Sequence, residues 1–569
     1  MKNDEVNRLL STVADILEIR GDDEVFKILA YRRAARSVED LPGDIEDLHR
    51  QGRLASIPGF GAAITEKVKE FLDTGKLEYL EKIAEGFPPG LLEMVRIPGL
   101  GPRKAQALWR ELGVASVEDL RKACEQRQVR HLKGFGEKTE EKILAGIRLL
   151  GEARGRSLIS KAWGQAEAVL AHLRANPAIE RAEAAGSLRR GKETVGDLDF
   201  LVLSKEPAAA TQAFTAMPLV TQIVLSGDTK STVLLRGGLQ ADLRVLDEGS
   251  WGSGMQYFTG SKDHNIKLRA LALDQGLKLS EYGLFRGDGP VAGRTEASIY
   301  ETLGLAYIEP ELREDAGEIP AAGAHTLPNL VSLEDIRGDF HAHTRLTDGV
   351  NSLEEMAAEA QRLGYAYLGL SEHSQSLAIA RGIDPDTVRL RKKEIEGFNR
   401  RSTGIHLLFG TECDILKDGS LDYSDDILKD FDYVVASVHS HFKLPRQEQT
   451  DRVLAALANP YVNILAHPTT RKIGARDPID VDLEKVFTAA AETGTAVEIN
   501  SGGNRMDLNG TQAKLARELG CILTTDTDAH STGELHTMRF AVGLARRGWL
   551  EAKDVVNTWD LEKVKAFFR

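Results

Sequence analysis

The chain has 569 residues, 42% of them hydrophobic and 28% charged, which excludes a disordered or fibrous protein and is too long for one ordinary domain. No apolar run reaches roughly 18 residues, and Met1-Lys2-Asn3-Asp4-Glu5 lacks the apolar core of a secretory signal, so no membrane partner is expected. The net charge of −13 lies in one half: residues 1–300 hold 43 Lys+Arg and 43 Asp+Glu, and residues 301–569 hold 30 and 43. The first half can bind nucleic acid through local clusters, whereas the acidic half would draw a phosphate backbone only through metal ions.

Three Gly turns recur in the first 150 residues: Ile57-Pro58-Gly59-Phe60-Gly61, Ile97-Pro98-Gly99-Leu100-Gly101 and Leu132-Lys133-Gly134-Phe135-Gly136. Each precedes a stretch of helical period, and Leu9, Leu10, Val13, Ile16 and Leu17 make one apolar stripe, so this region reads as all-helical. A Gly turn that opens a helix offers backbone N–H groups to a phosphate without net positive charge. Gly59, Gly61, Gly99, Gly101, Gly134 and Gly136 are therefore expected to bind DNA.

From about residue 184 the period changes. Residues 198–203, 223–225, 231–235 and 240–245 read as strands of an α+β region. Asp197 and Asp199 are two apart on one strand and point to one face, and Asp242 can join them from a neighbouring strand. Three carboxylates at one point repel unless cations neutralise them, and two Mg²⁺ or Mn²⁺ ions bridging the acids to a triphosphate would do so. Gly186-Ser187, about ten residues upstream, would open a helix toward phosphate, with Arg189-Arg190-Gly191 adding fixed charge.

Residues 311–335, rich in proline and small residues, read as a linker. Beyond 336, short apolar strands alternate with helices, which predicts a parallel α/β barrel with His373, His439, His467 and Asn500 at strand C-termini, where barrel active sites are built. His341 and His343 share one side of a strand, followed by Asp348, Glu412, Asp528 and His530. With His373, His439 and His467 these make nine candidate ligands, enough for two or three Mn²⁺, Zn²⁺ or Fe²⁺ ions. His406, His441 and His536 are left as ordinary structural histidines. Cys124, Cys413 and Cys521 are far apart and odd in number, which argues against a disulfide framework and fits a reducing cytoplasm.

Gly186–Phe200 resembles the nucleotidyltransferase signature of X-family DNA polymerases, and Tyr257-Phe258-Thr259-Gly260-Ser261 is similar to that family's sugar-contacting segment. The resemblance implies that Asp197, Asp199 and Asp242 are catalytic and that Ser187, Arg190 and Gly196 hold the triphosphate. It also implies that Tyr257, Phe258 and Gly260 lie at the sugar, Asn265 at the base edge and Arg269 at the template. Lys262-Asp263-His264 departs from vertebrate members and fits the bacterial branch. The Gly turns resemble helix-hairpin-helix motifs, and the first resembles the family's lyase domain. There Lys67 would form the Schiff base and Lys27 and Tyr31 would bind a 5′-phosphate.

The histidine-rich half resembles the polymerase and histidinol phosphatase (PHP) domain. In bacterial members this domain implies metal-dependent 3′→5′ exonuclease activity and, in some, cleavage at abasic or 3′-blocked ends. The implied division is a helical lyase-like domain at 1–85, a helix-hairpin-helix fingers-type subdomain at 86–150, a palm at 151–264 and a thumb at 265–310. The linker at 311–335 and a distorted TIM-like PHP barrel at 336–569 complete it. The expected protein is a monomeric, cytoplasmic, nucleoid-associated repair polymerase acting on gapped or primed DNA with dNTPs. A PHP phosphatase of small esters and a non-enzymatic DNA-end scaffold are the rival readings.

Overall fold

The computed structural model of the chain describes residues 2–21, 25–39, 45–57, 59–95, 97, 100–153 and 156–568. The chain divides into two compact units, Met1–Arg154 with Gly474–Arg476, and Gly155–Ile473 with Asp477–Arg569. No helix among the described residues is long and apolar enough to cross a membrane.

The described residues of the 1–154 segment form helices joined by turns. Its helices α1 (Lys2–Arg20), α2 (Val25–Glu39), α3 (Ala62–Thr74), α4 (Pro102–Leu112) and α5 (Glu137–Ala153) surround one apolar cluster that includes Leu10, Val13, Ile57, Val68, Leu91, Leu108 and Ile143. The described residues of the three Gly turns share one hydrogen bond. Phe60 N–H donates to the Ile57 carbonyl (3.0 Å), Leu100 N–H to Ile97 (2.9 Å) and Phe135 N–H to Leu132 (3.0 Å). The third copy makes this turn without the proline. Gly59 and Gly134 take φ of 81° and 85°, the left-handed region that a Cβ disfavours.

The second unit begins with a five-stranded sheet of β1 (Arg181–Ala184), β2 (Asp197–Leu203), β3 (Val220–Ser226), β4 (Lys230–Leu235) and β5 (Gln240–Leu246), in the order β1-β2-β5-β4-β3. Only β2 and β5 run parallel, with Asp199 opposite Asp242. The one-turn helix α6 (Gly186–Arg189) follows β1. Helices α7 (Trp251–Thr259) and α8 (Lys262–Asp274) follow the sheet, the second capped by the Ser261 hydroxyl, which accepts from His264 N–H.

Residues 311–335, expected as a linker, are packed instead. They contain the helix Glu318–Gly323, and Leu312, Ala322 and Leu330 join the apolar cluster of Leu268, Ile299 and Tyr300. Arg313 and Glu318 are fully buried here because each has a charged partner: Arg313 donates to Glu296 (2.7 Å), and Glu318 meets His264 (2.7 Å). Pro320 sits in the first turn of the helix Glu318–Gly323, where its missing N–H leaves no bond unmade.

The C-terminal half is a seven-stranded parallel sheet, β6 (Gly338–Asp339), β7 (Tyr367–His373), β8 (His406–Asp414), β9 (Tyr433–Ser437), β10 (Ile464–Leu465), β11 (Ala496–Asn500) and β12 (Leu523–Asp526), paired in sequence order. A parallel bridge between Ala342 and Ala529 brings the last strand to the first, so the barrel nearly closes. Its strands are buried on both faces, as parallel strands covered by helices must be. Tyr433 fills the interior: a Cβ at Gly410 would fall 2.2 Å from its ring, and its hydroxyl donates to the Phe340 carbonyl (2.6 Å). The barrel is a packed core with its polar residues gathered at one end.

Candidate functional site

The structure brings Asp197, Asp199 and Asp242 together at the β2–β5 pairing. Asp242 accepts from Gln240 (2.9 Å) and from the Thr232 hydroxyl. Burial, then the charges of Asp197 and Asp242, push the Asp199 carboxyl up to about 7, against Arg244 and Arg190. This repulsion among carboxylates is what a divalent cation relieves, so the residues present fit such an ion. Gly186 has a φ of 62°, and a Cβ there would lie 2.2 Å from Asp199 Oδ2. The glycine is required by close approach as well as by backbone conformation.

Arg190 and Arg244 act on Asp199, and the other expected nucleotide contacts have these partners. Ser187 sits in the single turn of α6, and Gly196 directly precedes Asp197 at the start of β2. Arg190 donates through Nε to Glu314 (2.8 Å) and through Nη1 to the Thr259 carbonyl, close beside Gly260. Tyr257 and Phe258 pack edge to face at 5.1 Å, and the Arg244 guanidinium covers Phe258 at 4.3 Å. Asn265 is held by the Tyr257 carbonyl (2.7 Å) and Gln256 (2.7 Å), and Arg269 Nε donates to the Asn265 carbonyl (3.2 Å). His264 is no part of this surface. It is fully buried between Glu318 and the Tyr300 hydroxyl (3.0 Å), and burial lowers its pKa.

In the helical unit the Lys67 ammonium lies 4.8 Å and the Lys27 ammonium 5.3 Å from the centre of the Tyr79 ring, which stacks on Tyr31 at 6.3 Å. The sequence reading missed Tyr79, since nothing local links it to residues on α2 and α3. Gly61 and Gly101 cap α3 and α4 without a side-chain acceptor, and their carbonyls accept from the Ile64 and Lys104 N–H groups (3.0 Å each). Gly136 directly precedes α5, and its carbonyl accepts from the Thr139 N–H (2.9 Å). Gly99, an expected DNA contact, lies outside the described residues.

The nine barrel candidates converge at the C-terminal ends of the strands. Three overlapping groups hold donor atoms mutually within 4.8 Å: His343, Asp348, His373 and His530; His341, His343 and Asp528; and His373, Glu412 and His439. His467 Nε2 reaches Glu412 Oε1 at 3.0 Å and completes the set. Glu412 stands at the centre, and although burial opposes its ionisation, His439, His373 and His341 hold its carboxyl well below the usual range. Burial pushes the His343 imidazole down to about 4 and His467 to about 3, which keeps both neutral and able to donate a lone pair.

His341 Nε2, His343 Nε2, Asp348 Oδ1 and His373 Nδ1 are buried and lack hydrogen-bond partners among the described residues. Their neighbours include other candidate ligands, with His373 Nδ1 2.8 Å and His341 Nε2 3.4 Å from Glu412 Oε2, and cations among them would take up their lone pairs. The donor set, imidazole and carboxylate, suits Mn²⁺, Zn²⁺ or Fe²⁺.

Several supports escaped the sequence reading. Glu498 accepts from His341 Nδ1 (2.6 Å) and from the His467 amide (2.5 Å), which turns His341 Nε2 toward Glu412. Asp414 does the same for His439 (2.6 Å), and Arg505 donates to Asp528 (3.1 Å). Buried Glu372, gripped by Arg391 (2.7 Å), Thr344 and Thr347, anchors the loop that carries Asp348. Glu498 and Asp414 each lie two residues from a strand-end polar residue, the one available signal. His406, His441 and His536 stay outside the cluster, and none is fully buried.

A sheet bearing three acids beside an arginine-lined turn, joined to a barrel with a buried imidazole–carboxylate cluster, defines a two-centre metal-dependent phosphoryl-transfer enzyme. Residues 1–77 match the helix-hairpin-helix domain and 91–149 the SAM-like helix-hairpin-helix tandem. Residues 254–314 match the DNA polymerase beta thumb and 339–502 the PHP domain. The chain is 37% identical to "DNA polymerase/3'-5' exonuclease PolX" of Bacillus subtilis over all of both chains. It is 28% identical to DNA polymerase lambda of Rattus norvegicus over 54% of this chain and 56% of that one. It is also 28% identical to a probable phosphatase of Thermoanaerobacter sp. over 41% of this chain and 94% of that one. The chain belongs to the X family of DNA polymerases, in the bacterial PolX branch that carries a C-terminal PHP domain.

Proposed function

We propose that this polymerase fills short gaps in DNA and trims or unblocks 3′ ends with its barrel. The observation that carries the reading is the presence of two constellations on one chain: three acids at the β2–β5 junction, and eight candidate ligands grouped at the barrel mouth with His467 against Glu412. Asp197, Asp199 and Asp242 would hold two Mg²⁺ or Mn²⁺ ions, which supply the charge that activates a 3′-hydroxyl and stabilises departing pyrophosphate. Ser187, Arg190 and Gly196 would bind the triphosphate, and Tyr257, Phe258 and Gly260 would face the sugar. Asn265 would meet the base edge and Arg269 the template strand.

The barrel's nine residues would hold two or three Mn²⁺, Zn²⁺ or Fe²⁺ ions, which supply a nucleophilic water and polarise a phosphodiester. Glu498 and Asp414 would orient His341 and His439 for that task. The Gly turns of the helical unit would take backbone phosphates of gapped or primed DNA. A cytoplasmic, monomeric enzyme working at the nucleoid accords with that substrate.

A gapped primer–template assay tests the division of labour. Asp197→Ala should abolish extension and leave 3′ degradation intact, and His341→Ala should do the reverse. Survival of both activities in both variants, or absence of both from wild type with Mg²⁺ and Mn²⁺ supplied, would refute it.

Lys67, paired with Lys27 over Tyr79, is proposed as the Schiff-base lysine of a 5′-deoxyribose-phosphate lyase. Lys27 and Tyr31 would bind the 5′-phosphate. Borohydride should trap wild type on such a substrate and fail with Lys67→Ala; an adduct that persists in the variant sinks the assignment.

A further inference from the structure

Arg190 is held from the barrel side. Helix α9 (Met538–Arg547) of the barrel half ends on Arg547, whose Nη1 donates to the Arg190 carbonyl (2.8 Å) and to Glu314 Oε1 (3.0 Å). Glu314 in turn accepts from Arg190 Nε (2.8 Å), and the Lys192 ammonium lies 3.5 Å from its other oxygen. The Arg547 stem runs along Gly191 and Gly510, where a Cβ would lie 3.8 Å and 2.6 Å from it. Arg547 and Arg190 are both nearly buried, at 10% and 12% side-chain exposure, so the pairing is little screened by solvent.

The charge arrangement has a consequence for phosphate binding. Glu314 alone would neutralise Arg190. Shared with Arg547 and Lys192, it leaves the group of four with a net positive charge, and it fixes Arg190 at Nε while Thr259 fixes Nη1. Arg190 Nη2 has no hydrogen-bond partner among the described residues and is not sealed from solvent. Burial opposes ionisation of Glu314, yet Arg190 and then Arg547 hold its carboxyl down to about 2, so the link stays charged across any working pH.

We infer that Arg547, a residue of the PHP half, is a positioning residue for the polymerase reaction: it holds the Arg190 main chain and offsets Glu314, so that Arg190 presents a free, positively charged edge to the incoming triphosphate. The inference rests on the proposed role of Arg190. It makes the barrel part of the nucleotide site, a role separate from its own phosphoesterase chemistry.

The test uses the full-length chain on gapped DNA, with KM for dNTP and kcat read separately and 3′→5′ degradation of a single-stranded primer as internal control. Arg547→Ala should raise the KM for dNTP about tenfold, the weight of one hydrogen bond to a charged group. Its kcat and exonuclease rate should stay within about twofold, since uniform ground-state binding is what is lost. Arg547→Lys, which keeps the charge beside Glu314, should restore part of the affinity. Arg547→Met keeps the stem against Gly191 and Gly510 and gives the same readout where the alanine variant fails to fold. An unchanged KM in the alanine or methionine variant overturns the inference, as does an equal fall in extension and exonuclease with KM unmoved. Arg190→Ala separates the two levels: a KM unchanged there removes the assignment of Arg190 and this inference with it. A raised KM there, beside an unaffected Arg547→Ala, removes only the inference.

Discussion

Asp197, Asp199 and Asp242 stand partly open on the palm sheet, whereas the barrel's candidates are mostly buried. The palm group is all carboxylate, and burial, then the charges of Asp197 and Asp242, raise Asp199. The barrel group alternates imidazole with carboxylate, and Glu498 and Asp414 hold individual rings in place. A self-repelling, accessible set suits ions that arrive with a triphosphate and leave with pyrophosphate. A buried, pre-oriented set suits ions that stay. On the proposed reading, the palm acids would be a transient metal site and the barrel cluster a resident one.

The comparison breaks most readily at the barrel's supports. Glu498→Gln should raise the Mn²⁺ concentration needed for 3′ degradation about 10- to 100-fold and leave extension unchanged, measured by metal titration of both activities. An equal loss in both would remove the distinction between the sites. Chelation is the next largest effect. A resident ion at 100 times its Kd stabilises the fold by about 2.7 kcal/mol, so stripping it should lower the melting temperature and Mn²⁺ should restore it. Mg²⁺ added without nucleotide should not act through the palm, so Asp199→Asn should leave that response intact. The smallest effect sharpens the palm side. Gly186→Ala should cost about 1–2 kcal/mol through its left-handed backbone and displace Asp199. Denaturant melts should show the loss, and extension should fall with exonuclease unchanged.

The catalytic spacing was legible because strands project every second residue to one side. Asp197 and Asp199, two apart on β2, announce a shared face before any fold is known, whereas His341 and His343, expected on a strand, lie beyond the end of β6 at Asp339 and flank the bridge at Ala342. Many of the strands were legible from apolar runs, but β1, β8 and β12 were not read as strands. Tyr79 beneath two lysines, Glu498 behind His341 and Arg505 beside Asp528 were not, because each pairing joins residues from separate elements. Composition misled at 311–335, where prolines and alanines suggested a tether. Buried Arg313 and Glu318 find charged partners on Glu296 and His264, and that pairing is invisible to local pattern.

By itself the sequence determined the helical, α+β and α/β regions, the two sets of candidate ligands and the acidic bias of the half that would need cations. These follow from periodicity, residue chemistry and count, which are local properties. Only the tertiary structure decided that His264 is a core residue, that Glu412 is the centre of its cluster, and that Arg547 reaches back to Arg190 across more than three hundred residues. Such contacts depend on where packed elements bring distant side chains, and packing is a property of the whole fold.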